Sequence, residues 1–371
     1  MTRDQMIAHQ LRTLCKTNPS KRAMIGFDGF VDELFRVVLT RENAEACHFY
    51  STISQFSKHV ADAAGKSADI ELVSQEVKLG GNAPIMANAI AGLGFCTQCV
   101  GAMGYPEEHP VFKNINENCE RISVCAPAYT YAYEFNNGKL MFANHHQLNA
   151  LNWDLLKSMV GLNRLAQMAA DSDLWAFVNW SVMSGAGSIW EGFFQEVLPL
   201  IPPAVLAEKT LFFDLADPSK RSKHSILDVL DLIRRYQHHC HVILGLNENE
   251  ALRIYDAVKA DDTRTEALPL DKKAQHIFEY LGIELLVVHP VDRCIAVSPS
   301  GTVTEYGRVI TAPKLTTGGG DNFNAGFCFA HLLGLPPADA ARTAMATSGC
   351  YVKNGHSPSL PELLRFMEES C

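Results

Sequence analysis

The chain of 371 residues contains no apolar run near the roughly 20 residues that a membrane-spanning helix needs. Its first 22 residues, MTRDQMIAHQLRTLCKTNPSKR, carry mixed charge and lack the apolar stretch of a signal peptide. There is no CxxC pair and no cluster of Cys and His at metal-ligand spacing. The 11 cysteines are odd in number and irregularly placed, so reduced thiols in a cytoplasmic protein are expected and structural zinc is not. Positive charge is not in excess. Lys plus Arg is 32 against 41 Asp plus Glu, a net charge of −9. Phosphate backbones and anionic lipid surfaces are bound by clustered positive charge, so neither nucleic acid nor membrane is expected as a partner. No fixed-period repeat, low-complexity tract or GxxxxGK[ST] phosphate loop occurs.

Hydrophobic residues make up 47% and charged residues 20%, enough for a large core. An amphipathic helix is expected near 4–16, with Ile7, Leu11 and Leu14 on one face, ending before Asn18-Pro19. Strands are expected at Ala23–Phe27, Ile70–Val77, Leu174–Val178, Leu211–Phe213, His241–Leu244 and Leu285–Val288, with helical patterns between the later ones. Such alternation predicts a parallel sheet buried on both faces. Tyr129, Tyr131, Tyr133 and Phe135 alternate at the period of a strand. Asn136-Asn137-Gly138 follows as a hairpin turn, and Leu140 and Phe142 continue on the return strand. No linker divides the chain, so one large α/β domain with a small β insert is expected.

The segment Thr316-Thr317-Gly318-Gly319-Gly320-Asp321-Asn322-Phe323 precedes a helical pattern. Glycines let successive N–H groups converge, and a helix N-terminus favours an anion. A carboxylate beside them can take the proton of an attacking hydroxyl, which is what phosphoryl transfer requires. The competing reading is a Gly-rich turn with Asp321 as an ordinary helix cap. Three further segments stand out. Gly80-Gly81-Asn82 opens a helix that ends at Leu93-Gly94. Asn247-Glu248-Asn249-Glu250 follows a strand. Asp28 and Asp32 follow the first strand.

Together these motifs resemble the PfkB family of carbohydrate kinases, the ribokinase-like superfamily, and the likeness runs from about Ala23 to Glu368. The resemblance implies a three-layer α/β sandwich around a central, mostly parallel sheet. It divides the chain into an N-terminal extension, 1–22, and a kinase domain, 23–371, with a small β lid near 31–50 and 122–146. It implies transfer of the ATP γ-phosphate to a hydroxyl of a sugar or sugar-like molecule. Asp321 would be the base, and the amides of Gly318, Gly319 and Gly320 the anion hole. Gly80 and Gly81 would lie against the sugar, joined by Asp32 or its competitor Asp28. Asn82 either takes over a sugar contact or only caps its helix. Asn247 and Glu250 would organise Mg²⁺ and its waters. The aromatic strand would pack on the substrate, or else form lid core or a dimer contact, and lids in the family often pair as homodimers.

Four departures are visible. Leu315 stands where relatives use an Asp for a monovalent cation, so potassium is not carried over. His289-Pro290-Val291 replaces a Thr-x-Gly beside the nucleotide phosphates, and Ala344 replaces an Asn on the adenine side. Asp214 to Arg221 matches a D-x-N-x-R strand end only loosely, with Lys220 or Arg221 facing phosphates or solvent. A nucleoside kinase of the same fold and a non-catalytic sugar sensor are the rival readings.

Overall fold

The computed structural model describes residues 1–17, 21–259 and 268–369. Asn18 and Pro19, at the expected end of the first helix, lie outside the described residues.

Short apolar runs have no polar face to show to water, so they are stable only as strands covered on both sides. In chain order the strands are β1 (Arg22–Phe27), β2 (Phe30–Arg41), β3 (Cys47–Phe49), β4 (Leu72–Gly80), β5 (Cys96–Gly101), β6 (Cys119–Ser123) and β7 (Ala128–Phe135). They continue as β8 (Gly138–Asn144), β9 (Leu174–Phe177), β10 (Thr210–Asp214), β11 (His241–Leu246), β12 (Leu285–Val288), β13 (Arg293–Ser298) and β14 (Gly301–Tyr306). The main sheet has the order β14-β13-β12-β11-β10-β9-β1-β5-β6. From β12 to β6 every pairing is parallel, and only β13 runs against the rest, pairing antiparallel with both β12 and β14.

Alternate residues of each strand enter different cores. Met24, Phe27, Trp175, Phe177, Leu211 and Phe213 face one, packed beneath helices such as Lys223–Tyr236. Ala23, Ile25, Leu174, Ala176, Phe212 and Ile243 face the other, beneath Asn82–Gly92 and Gly319–Leu332. These are the three layers. The architecture is the expected three-layer α/β sandwich.

The chain leaves β1 in one direction to form β5 and β6, then returns on the other side to form β9. That reversal opens a crevice at the carboxyl ends of the strands, where α/β sheets place their sites. Over the crevice lies a second sheet. In it β2 pairs antiparallel with β4 and parallel with β7, and β7 pairs with β8 around the turn at Asn136-Asn137.

Two expectations are corrected. The lid is not confined to 31–50 and 122–146, because β4 joins it while β6 belongs to the main sheet. The first 22 residues are not an appendage. Their helix, Arg3–Thr17, buries Ile7, Ala8 and Leu11 in the second core. Arg3 pairs with Glu305 and Asp339, and Arg342 pairs with Asp4 and Glu305, which ties the helix to the body. Tyr129, Tyr131 and Tyr133 of the aromatic strand line neither cavity of the crevice, whereas Phe135 at its end lines the cleft under the lid. Tyr129 and Tyr131 stack on each other, and Phe35 meets Tyr131 and Tyr133 on that same outer face. Because side chains alternate, Thr130 points inward instead. Tyr133 and Phe135 pack as lid core with Tyr50 and Phe56, one of the readings the sequence leaves open.

Among the described residues no helix is long and apolar enough to cross a membrane. No disulfide joins cysteines among the described residues.

Candidate active site

Asp321 sits in the first turn of the helix Gly319–Leu332, whose cap is Gly318. Gly318 has φ +90°, a conformation glycine adopts without strain. A Cβ there would stand 2.6 Å from the Tyr351 hydroxyl, which donates to the Thr317 carbonyl at 2.6 Å. The turn is thus shaped for a bare backbone. The Gly319 N–H donates to the Thr316 carbonyl at 3.1 Å, closing the turn. The N–H groups of Gly318 and Gly320 have no partner among the described residues. Of the three glycines expected to receive an anion, two have open donors and Gly319 does not.

Asp321 is 9% exposed and lines a cavity of about 260 Å³. Its carboxyl is held well above the usual range, first by burial and then by the charges of Asp214, Asp28 and Glu250. Asp32, Gly81, Asn82, Thr130, Met141, His145, Asn179 and Gly318 share this cavity. A larger cleft of about 1120 Å³ adjoins it under the lid and shares Asp32, Ile85 and Thr317. Asp32 is buried and accepts a hydrogen bond from Thr130. A Cβ on Gly80 would lie 2.5 Å from the Asp32 carboxyl carbon, so glycine there makes room for the acid.

Asp28 does not line the cavity. Its Oδ1 accepts from the Ala83 N–H at 2.7 Å, and its Oδ2 from the Asn82 N–H at 2.9 Å and Asn179 Nδ2 at 2.6 Å. The expectation of a sugar contact at Asp28 is corrected: it satisfies the open donors of the helix that starts at Asn82. This also resolves Asn82. The cap position is Gly81, so the Asn82 side chain is not a cap and faces the cavity with no bonded partner among the described residues.

Asn179 has no counterpart in the sequence reading. It lies just past β9 with φ +61°, which is rare outside glycine. Its Nδ2 donates one hydrogen to Asp28, and its buried Oδ1 has no partner among the described residues. Ala216, just past β10, also lines the cavity with φ +52°. Strained backbone at two strand ends around one cavity is typical of functional sites. The only signal in the sequence was a polar residue directly after a fully apolar strand.

Asn247 and Glu250 form a reciprocal cap. Asn247 Oδ1 accepts from the Glu250 N–H at 3.0 Å, and Glu250 Oε2 accepts from the Asn247 N–H at 2.8 Å. The helix start is not solvated as its composition suggests, because Glu250 is buried. Burial, and next the neighbouring charge of Asp214, push Glu250 up to about 8. Burial raises Asp214 to about 6. Among the described residues no group of three or more Asp, Glu, His or Cys could by itself hold a metal. Glu250 Oε1 also accepts from Asn247 Nδ2 at 2.6 Å, and Asp214 accepts from the Ala216 N–H and from Asn324 Nδ2, both at 2.7 Å, so the two carboxylates keep only their remaining lone pairs, which suits a cation held through its own waters, as Mg²⁺ is.

A pH dependence follows from these groups. Their folded pKa values lie above the unfolded ones, so the folded state binds more protons, and stability falls as pH rises through 6 and 8. The thermal midpoint of the protein without ligands should therefore rise between about pH 8.5 and about pH 6. Calorimetry of the wild type and of Glu250→Gln checks it. A slope equal in both would remove Glu250 as its source.

His289 follows β12 with its ring stacked on Phe323, centroids 4.4 Å apart, and its Cε1 3.7 Å from where a Gly320 Cβ would be. Burial pushes it down to about 4, so it is neutral. Arg221 does not face the crevice: it donates to the carbonyls of Trp180, Ser181 and Met183. Lys220 is exposed.

The family model for prokaryotic ketohexokinase matches residues 2–370. A ketohexokinase of Haloferax volcanii is 29% identical over 351 residues, covering 93% of this chain and 90% of that one. Among solved structures, the ribokinase of Thermotoga maritima superposes with a TM-score of 0.63 at 16% identity, covering 95% of this chain and all of its own. The ribokinase of Arabidopsis thaliana, complexed with ribose and ATP, gives 0.64 at 13% identity, with 95% and 100% covered. A provisional ribokinase II from E. coli, in complex with ATP and Mg²⁺, gives 0.64 at 13%, with the same coverage.

Proposed function

The chain belongs to the prokaryotic ketohexokinase family, and on that footing we propose that its phosphoryl acceptor is a ketohexose. It is an ATP-dependent carbohydrate kinase, a phosphotransferase with an alcohol group as acceptor. The curated relative is a ketohexokinase, which supports the acceptor class. The observation that carries the site is the meeting of three features: a raised, buried Asp321, open N–H groups at Gly318 and Gly320, and an adjoining cavity lined with unpaired polar groups.

In this reading the sugar lies under the lid against Gly81, with Asp32, Asn82 and Asn179 at its hydroxyls. Asn179 Oδ1 is an acceptor, and one hydrogen of its amide nitrogen already goes to Asp28. Asp321 takes the proton of the attacking hydroxyl. The new O–P bond forms as the bond from the γ-phosphorus to the bridging oxygen of ATP breaks, and ADP leaves with that electron pair. The Gly318 and Gly320 donors face the charge of the transferring group. Most of the rate then comes from positioning and fixed dipoles. When bound, Mg²⁺ neutralises phosphate charge, and Glu250, with Asp214 beside it, would hold its waters. The odd number and irregular spacing of the 11 cysteines favour a reducing compartment, the cytoplasm.

The test is a coupled assay of ADP release from MgATP with D-fructose, with D-glucose and adenosine alongside. Turnover dependent on D-fructose is expected. Turnover confined to the aldose or the nucleoside would overturn the acceptor class.

A further inference from the structure

We propose that His145 is a specificity-determining residue for the acceptor, its imidazole hydrogen-bonding a sugar hydroxyl other than the one phosphorylated. This rests on the cavity at Asp321 being the acceptor site. β8 ends at Asn144, and His145 follows it at the start of the turn, where its carbonyl accepts from the Asn149 N–H at 3.0 Å. The ring meets Phe30 edge-on, with centroids 5.5 Å apart and planes at 80°. That contact limits how the ring can turn. His145 lines the cavity together with Asp32, Asn82, Asn179 and Asp321. It is partly buried, and neither ring nitrogen has a bonded partner among the described residues.

Chemistry separates His145 from its neighbours. An ionised carboxylate only accepts, and Asn179 already gives one of its two amide hydrogens to Asp28. A neutral imidazole offers one donor and one acceptor on opposite sides of a rigid ring, which suits a hydroxyl that both gives and receives. Burial first, and then the charge of Lys220, hold His145 below its ordinary value, which keeps the ring neutral. Polar atoms drawn partly out of water with no partner are a cost unless a ligand supplies one. His145 reaches the cavity from the lid sheet, while Asp321 and Asn179 reach it from the body. A sugar held by all three is gripped from both sides.

The test uses the full chain, MgATP and four ketohexoses: D-fructose and its epimers at carbons 3, 4 and 5 (D-psicose, D-tagatose and L-sorbose). His145→Phe keeps a ring against Phe30 and removes both nitrogens. It should lower kcat/KM for D-fructose about tenfold or more, with the KM for MgATP unchanged. The preference for D-fructose over one epimer should shrink by the same factor, while the other two contrasts hold. His145→Gln, which restores a donor and an acceptor, should recover most of the loss. Unchanged epimer ratios in His145→Phe, or a loss in His145→Gln as large as in His145→Phe, would overturn the inference and leave the ketohexose reading standing. A wild type inactive on all four sugars would overturn the ketohexose reading and this inference with it.

Discussion

Asp321→Asn should lower kcat by about 10²–10⁴-fold, the usual weight of a general base, while calorimetry still detects sugar binding. Asparagine keeps the size and a polar oxygen but cannot take a proton. The surroundings explain why this carboxylate suits the task. Burial comes first, and then Asp214, Asp28 and Glu250 add negative charge, so the ionised form is disfavoured and its proton affinity rises. A base must be ionised to act. Because its pKa is raised, kcat should fall as pH drops through a value above the ordinary carboxylate range, and a kcat–pH profile reads it. Near-normal turnover in the variant would remove Asp321 from the chemistry.

Gly318→Ala should cost about 10²–10³-fold in kcat, the weight of one lost anion-hole donor. Two effects act together. Alanine at φ +90° is strained by roughly 1–2 kcal/mol. Its Cβ would also stand 2.6 Å from the Tyr351 hydroxyl. The turn must open, and the free Gly318 N–H turns away from the incoming phosphoryl group. Adding Tyr351→Phe relieves the contact but not the strain, so only part of the activity should return. If the single variant loses stability in a thermal melt yet keeps its kcat, the Gly318 amide is not a donor to the reaction.

Much of this site was legible before any coordinates. The Gly318–Asp321 segment combined a turn, a helix start and a carboxylate within four residues, so local chemistry was enough to single it out. Gly80-Gly81-Asn82 was legible for the same reason. Asp28 was not. Its carboxylate could have served a diol or a helix end, and only the placement of Asn82 and Ala83 beside it assigned it to the helix. The tyrosine strand left its alternatives open for a different reason. Period two gives a face, but the side that face turns to depends on which strands flank it, and β2 and β8 placed Thr130 inward. Asn179 and His145 had no motif at all.

The sequence by itself determined the local elements: short buried strands alternating with helices, a glycine turn before an acid, a tight turn after an aromatic strand. These follow from interactions within a few residues, where propensity and capping act. Only the tertiary structure decided which polar atoms remain without partners. It joined β4 to the lid, packed the first helix into the core, spent Asp28 and the Gly319 amide internally, and left Asn82, Asn179, His145 and Asp321 around one cavity. Whether a donor or acceptor is free depends on groups up to 151 residues away, as with Asn179 and Asp28, and no local pattern contains that information.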